Sequence, residues 1–148
     1  MKSEESKFPR GIRNNNPLNI RRSGDKWQGL RTLQEDKAFC QFESMAYGWR
    51  AAFRLLCHTY YGKYKLRTIR AIINRWAPPK ENDTQYYIRS VAERTGIGAD
   101  RELGDPQTHP AEWMMIGIAM AIVECGTANQ DYLSMLKGFS LAMGEGEK

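Results

Sequence analysis

The residue best suited to acid chemistry is Glu124, which follows eleven uncharged, mostly apolar residues at 113–123. A helix that is apolar on every side is usually surrounded by other elements, so a carboxyl group at its end would be partly desolvated. Low local dielectric disfavours the charged form of such a group, and a retained proton can be passed to a leaving oxygen, as glycosidases do. The alternative is that Glu124 simply reaches water at the end of its helix.

Most glycosidases use a second carboxylate, about 5 to 9 Å from the first. The acidic residues available for this role are Glu35, Asp36, Glu43 and Asp83. Their spacing does not distinguish them, and we take Glu43 as the second catalytic candidate. A route assisted by the substrate's own N-acetyl group, or transglycosylation, could work with Glu124 alone.

A run of asparagines, RNNNPLNI at residues 13–20, is a candidate sugar-binding loop. Amide side chains offer both a donor and an acceptor, and the indole of a nearby tryptophan offers a flat apolar face for a sugar ring. The candidate substrate-binding residues are Asn15, Asn16, Asn19, Trp27 and, much later in the chain, Tyr132. The alternative for this loop is a structural turn beside a buried tryptophan, because Asn and Pro both favour turns.

Apolar periodicity predicts that most of the chain is helical. Five helices are expected: one capped by Ser44 with a stripe reaching Tyr60, one over 68–76, one starting at Asp83 or Thr84, one over 113–123, and one over 131–142. Only 27–33 and 38–42 have strand-like composition, which predicts a small hairpin. The fold class is therefore α+β, mainly α, with a flexible N-terminus at 1–10, a single domain at 11–142 and a flexible tail at 143–148.

Composition indicates an ordinary globular domain, with 41% hydrophobic and 26% charged residues. The net charge of +5 favours anionic partners without identifying one. Three cysteines without a CxxC spacing predict neither a disulfide framework nor a zinc site, and no metal, cofactor or nucleotide motif is present. No signal peptide or membrane-spanning run is recognisable, so we expect synthesis in the cytoplasm.

Four segments together resemble a family found in phages and prophages, whose members are described as virion structural or peptidoglycan-degrading proteins. The segments are GIRNNNPLNIR, WQG, FCQFESMAYGWRAAFRLL and TIRAIINRWAPPKENDTQYYIRSVAERTGI, and the resemblance extends from Gly11 to Ala142. NNPLNIR with its following tryptophan also resembles part of the bacterial glucosaminidases of the lysozyme-like superfamily. In those enzymes the catalytic glutamate precedes this part, so the order is permuted here. The resemblance implies a lysozyme-like helical domain, with Glu124 as the acid and Asn15, Asn16 and Asn19 beside the sugar.

Three functions are expected from these observations. The first is cleavage of the peptidoglycan glycan strand by a muramidase, lytic transglycosylase or glucosaminidase, acting after lysis, injection or specialised secretion, or within a virion. The second is a non-catalytic phage structural or wall-binding module, with other phage proteins as further partners. The third is a nucleic-acid-binding protein, suggested by the arginine-rich front but lacking a recognisable binding motif.

Overall fold

The computed structural model describes residues 7–80 and 82–144 and is mainly helical, which confirms the predicted predominance of helix. The described helices are α1 (Arg10–Arg13), α2 (Met45–Phe53), a π-helix (Arg54–Lys63), α3 (Ile69–Trp76), α4 (Thr84–Thr95), α5 (Pro110–Cys125) and α6 (Tyr132–Met143). A continuous core of buried apolar side chains extends from Leu18 to Ala142. Of the two segments predicted to be flexible, 1–10 and 143–148, the parts at 1–6 and 145–148 lie outside the described residues.

Four helices begin at side-chain caps. The capping side chains accept hydrogen bonds from backbone amides three residues later, and they belong to Ser44, Thr68, Asp83 and Asp131. Such a bond satisfies one of the free N–H groups of the first turn, which is why Ser, Thr and Asp favour this position. Helix α4 ends at Gly96, which adopts the left-handed conformation at φ 74°.

The helix predicted from Ser44 to Tyr60 changes character midway. The α-helical part ends at Phe53 and the chain continues as the π-helix over Arg54–Lys63. Each residue of a π-helix bonds five positions back, so side chains spaced for an α-helix do not stay on one face. Leu56 remains fully buried, whereas Tyr60 lies at the wall of the cleft described below.

Helix α5 forms the centre of the core, as its uniformly apolar sequence predicts. Trp113, Ile116, Met120 and Ala121 are fully buried. Helices α1, α4 and α6 all pack against α5, while α2 packs against α6. The end of α5 that carries Glu124 therefore has neighbours from both ends of the sequence.

Helix α6 buries only one member of the apolar stripe that its periodicity suggests, which consists of Tyr132, Leu133, Leu136 and Phe139. Tyr132, Leu133 and Leu136 are exposed, whereas Met135 and Phe139 are buried. The buried face also contains Gly138, where a Cβ atom would lie only 2.3 Å from Cβ of Trp49 in α2. The absent side chain lets the two helices approach closely, and this contact determines which face of α6 points inward.

The predicted hairpin is reduced to two antiparallel bridges among the described residues, Arg21 with Phe39 and Leu30 with Phe42. Hydrogen bonds from side chains to the backbone take the place of a regular ladder of backbone hydrogen bonds in this region. Gln34 donates to the carbonyls of Arg31 and Gln41 and accepts from the Gln41 amide, while the Gln41 side chain accepts from the Glu35 amide. Backbone groups paired with side chains are not available for strand pairing.

Among the described residues, no helix has both the length and the apolar character needed to cross a membrane.

Candidate functional site

Glu124 is half-buried near the end of α5 and lines a cleft of about 310 Å³. The cleft is formed by the last part of the asparagine run, the π-helix, the end of α3 with the elbow that follows it, and the end of α5. Its lining residues are Leu18, Asn19, Ile20, Arg21, Phe39, Leu55, Tyr60, Trp76, Ala77, Pro78, Asn82 and Glu124. Aromatic rings, amides and a single carboxyl group thus face one space.

Both carboxyl oxygens of Glu124 accept hydrogen bonds from side chains of other elements. Trp76 Nε1 donates to Oε2 at 3.1 Å, and the Tyr87 hydroxyl donates to the same oxygen at 2.9 Å. Asn19 Nδ2 donates to Oε1 at 3.2 Å. The side chain is therefore fixed from α3, α4 and the asparagine segment together.

The two oxygens are not equivalent. Each carboxyl oxygen has about two lone-pair directions, and on Oε2 both are occupied by Trp76 and Tyr87. Oε1 has one donor, Asn19, which leaves one direction unused. Oε1 is therefore the oxygen with room for a further hydrogen bond.

Tyr87 is a permanent donor in this arrangement. Burial, reinforced by the nearby charge of Glu124, raises the pKa of the Tyr87 phenol well above its usual range. The hydroxyl consequently keeps its proton throughout the neutral and mildly alkaline range and holds Oε2 in place.

The neighbouring Cys125 is buried, and its thiol donates to the carbonyl of Pro17 at 3.5 Å. Burial raises the pKa of this thiol to about 11, and the charge of Glu124 acts in the same direction. Cys125 therefore stays a neutral thiol that ties the end of α5 to the asparagine loop. The described residues contain no group of three or more His, Cys, Asp or Glu side chains arranged to hold a metal ion.

The asparagine run mainly supports the local structure, and of its three predicted amides only that of Asn19 reaches the cleft. Asn16 is fully buried, donates to the carbonyls of Ile20 and Cys40, and accepts from the Ile20 amide. Asn15 donates to the Phe42 carbonyl. Neither residue lines the cleft, so of the three predicted amides only Asn19 reaches Glu124.

Backbone geometry explains why asparagines are needed in this loop. Asn15 and Asn19 have φ values of 53° and 52°, in the left-handed region that Asn tolerates better than most residues. The loop also lies directly on α2, where a Cβ atom on Gly48 would be 1.9 Å from the Asn15 carbonyl oxygen. Close packing on α2 thus fixes the path that brings Asn19 to the cleft.

Asp36 anchors the other side of the same loop. Its carboxylate receives Nε and Nη2 of Arg10 at 2.7 and 2.6 Å, Asn14 Nδ2 at 2.9 Å, and the amides of Ala38 and Phe39. The Arg10 guanidinium, helped by the other donors, holds the Asp36 pKa far below its usual range. Asp36 was a candidate second carboxylate, and its oxygens are instead committed to holding α1 and the loop together.

The remaining carboxylate candidates lie outside the cleft. Glu43 and Glu35 are exposed, and neither is among the cleft residues. Asp83 lines a smaller depression of about 250 Å³ that shares Asn82 and Glu124 with the cleft. Its carboxylate there accepts from the Tyr86 amide as the cap of α4. The structure therefore does not bring the predicted Glu43 to Glu124.

The two predicted aromatic sugar contacts also lie elsewhere. Trp27 lines a separate pocket with Arg50 and Arg54, and its indole is half-buried against the core. Tyr132 lines an apolar groove between α5 and α6. Neither contributes to the Glu124 cleft.

The aromatic residues that line the cleft beside Glu124 have sequence spacings typical of core residues. Trp76 and Tyr60 lie at helical spacings that suit a buried stripe, and their rings contact each other edge to face with centroids 6.1 Å apart. Their position beside the cleft comes from the meeting of α3 with the π-helix. The only local signal was that Trp76 is the last residue of a helix, immediately before a proline-rich elbow.

The fold and the cleft define a mainly helical protein that fixes one half-buried glutamate among amide and aromatic side chains. No family model matches the sequence. The chain is 44% identical over 133 residues to Protein P5 of Pseudoalteromonas phage PM2, an alignment that covers 88% of this chain and 79% of P5. The chain therefore belongs to the family of this phage protein.

Proposed function

We propose that the Glu124 cleft cleaves the glycan strand of peptidoglycan, with Glu124 as the general acid. The observation that carries this proposal is the side-chain geometry of Glu124, a cleft residue whose Oε2 is held by Trp76 and Tyr87 while Oε1 has Asn19 as its one side-chain donor. General acids need such fixed geometry because the proton must be aligned with the leaving oxygen.

The walls of the cleft suit a saccharide chain. Tyr60, Trp76 and Phe39 provide apolar ring surfaces, and Asn82 provides an amide that can bond hydroxyl or N-acetyl groups. The smaller depression beyond Glu124 continues the same surface toward Tyr86. A strand cleaved at Glu124 needs sugar sites on both sides of the broken bond, and these two depressions provide the space.

A route with one carboxylate fits the lining of the cleft better than a two-carboxylate scheme. Glu124 Oε1 gives its proton to the glycosidic oxygen as the bond from that oxygen to C1 breaks. The 6-hydroxyl group of the same muramoyl sugar bonds to C1 and returns its proton to Glu124, so no water is consumed. The product is a 1,6-anhydro sugar, as in a lytic transglycosylase. Hydrolysis assisted by the N-acetyl group is the other route open to a single glutamate.

The fold assignment that accompanies this proposal is a permuted lysozyme-like helical domain. It is supported by the resemblance of the asparagine segment to lysozyme-like glucosaminidases and by the contact of Asn19 with the glutamate on a central helix. Glu124 would thus occupy, late in the chain, the position that the glutamate of those enzymes holds earlier in theirs.

The proposal is tested by mass spectrometry of the soluble fragments released from purified peptidoglycan by the wild-type protein and by Glu124→Gln. We expect anhydro-muropeptides from the wild type, and a rate that falls by about two to four orders of magnitude in the variant. Equal release by both proteins would exclude Glu124 as the acid. Folding of the variant is checked by circular dichroism.

A second candidate is a non-catalytic phage structural or wall-binding module. It is favoured by the fact that the relative from phage PM2 is a phage protein whose name, Protein P5, specifies no activity. In that case both Glu124→Gln and the wild type would be retained on insoluble peptidoglycan and would release no fragments.

A further inference from the structure

We infer that Arg21 forms an anion subsite at the rim of the Glu124 cleft and binds a carboxylate of the peptide carried by the glycan strand. The inference rests on the proposed function, since it names the part of the substrate that this subsite recognises.

The first support is position. Arg21 and Phe39 both line the cleft, and the Arg21 guanidinium carbon lies 5.0 Å from the centre of the Phe39 ring. A position over an aromatic ring is favourable for a guanidinium and leaves its N–H groups free to donate. The cleft thus has a cation on its rim and the carboxyl group of Glu124 on its wall.

The second support is that the backbone fixes Arg21 before any ligand arrives. The amide of Arg22 donates to the Ala38 carbonyl at 2.9 Å, and the amide of Cys40 donates to the Ile20 carbonyl at 2.9 Å. These bonds pair the two segments on either side of Arg21. When the backbone that carries a side chain is already ordered, less conformational entropy is lost on binding.

The third support is a comparison among neighbouring arginines. Arg10 is committed to Asp36 through two hydrogen bonds, and Arg22 Nη1 donates to the Asp36 carbonyl at 3.0 Å. Within the described residues, Arg21 makes neither an ion pair nor a side-chain hydrogen bond. Its guanidinium lies over the Phe39 ring, which it shares with Arg10, whose guanidinium carbon is 4.6 Å from the ring centre. Of these three cations, Arg21 alone is free to receive an external anion.

The chemistry of the strand supplies that anion. A chain of N-acetylglucosamine alone is neutral, whereas the muramoyl sugars of peptidoglycan carry peptides with free carboxylates. A guanidinium can bond both oxygens of a carboxylate at once, which adds direction to the charge attraction. Arg21 would therefore favour strands whose peptide carboxylates are free over strands whose carboxylates are amidated.

The test measures binding without cleavage, by isothermal titration calorimetry on the Glu124→Gln protein. The probes are soluble peptide-bearing glycan strands, either with free carboxylates or with the same carboxylates converted to methylamides. Arg21→Gln is added to this background, and Arg22→Gln serves as the matched control because it removes the same charge one residue away. We expect amidation to weaken binding about three- to tenfold when Arg21 is present.

In the Arg21→Gln protein both probes should bind as weakly as the amidated probe binds when Arg21 is present. In the Arg22→Gln protein the probe with free carboxylates should still bind more tightly than the amidated one. Raising the salt to about 0.5 M should reduce the preference, because screening weakens an exposed ion pair. Binding of both probes with an unchanged preference in Arg21→Gln, or with the same loss in Arg22→Gln, would overturn the Arg21 subsite alone. Failure of both probes to bind any of the proteins would overturn the proposed function and the subsite with it.

Discussion

The carboxamide of Asn19 donates to both the main-chain carbonyl and the side-chain Oε1 of Glu124, each at 3.2 Å. One amide thus fixes the end of α5 and the side chain it carries. Because Asn19 also sits at a left-handed φ of 52°, the position combines a conformational requirement with a hydrogen-bonding one.

Replacing Asn19 by glycine separates these two requirements, since glycine keeps the left-handed backbone without strain. We expect Asn19→Gly to lower kcat on peptidoglycan about five- to tenfold, the size of one lost hydrogen bond of about 1 kcal/mol. Asn19→Ala should show the same loss of kcat together with about 1 kcal/mol of lost stability, because alanine is strained at this φ. Steady-state kinetics and urea unfolding measure the two effects. Unchanged kcat in both variants would show that Asn19 does not position the acid.

Asp83→Asn distinguishes a one-carboxylate from a two-carboxylate route. Asn and Asp are equally good helix caps, so the variant should keep the stability of the wild type. If Glu124 works alone, fragment release should stay within about twofold of wild type. A fall of about a hundredfold or more with an intact fold would identify Asp83 as the second carboxylate. Asp83→Ala, which loses the cap, provides the comparison and should cost about 1 kcal/mol.

The Asp36 anchor predicts a specific dependence of stability on pH. The folded-state pKa of Asp36 lies below its unfolded value, chiefly because of Arg10, so the ionised form is the one that stabilises the fold. This contribution is complete above the unfolded pKa of about 3.9 and is lost as pH falls toward the folded value. We expect Asp36→Asn to lower the free energy of unfolding by about 2 kcal/mol at pH 7, with the difference shrinking below about pH 4.

Urea unfolding of wild type and Asp36→Asn across this pH range provides the measurement. The control is Glu35→Gln, because Glu35 is exposed and its main-chain amide, rather than its carboxylate, makes the local contact with Gln41. A difference between wild type and Asp36→Asn that stays constant down to pH 2 would contradict the proposed anchor.

The contact between α2 and α6 predicts an unusual response to alanine. Glycine to alanine within a helix normally adds up to about 1 kcal/mol of stability. At Gly138, however, the new methyl group would lie 2.3 Å from Cβ of Trp49 and 2.7 Å from the Ala46 carbonyl oxygen. We expect Gly138→Ala to destabilise the protein by about 1–3 kcal/mol in thermal or urea unfolding. Gly24→Ala, where no atom lies within 4 Å of the new Cβ, should change stability by less than about 0.5 kcal/mol.

Local signals in the sequence predicted the helix boundaries well, because a cap is a bond between residues three positions apart. Helix α2 begins after Ser44 and helix α3 begins after Thr68, as predicted. The buried face of α6 was not predictable in this way, since it depends on where Gly138 meets Trp49 from another helix.

In the candidate site, too, features that depend on sequence neighbours could be predicted, and features that depend on packing between helices could not. Glu124 was recognisable because its apolar neighbours are adjacent in sequence. Its partners Trp76 and Tyr87 were not, because their spacing within α3 and α4 equally suits a core position, and only the packing of both helices against α5 brings them to the carboxyl group. The predicted sugar contacts Trp27 and Tyr132 carry the right chemistry but lie on other faces of the molecule.

The contact between Asn19 and Glu124 spans 105 positions of the chain. A ribosome makes the asparagine loop first and the glutamate only after most of the domain has been synthesised. An incomplete nascent chain therefore cannot assemble the cleft, and neither can a product truncated before α5. Loop closure over such a span is also slow compared with local helix formation, so docking of the end of α5 should be a late event in folding. The surroundings of Glu124 would therefore be completed late in folding.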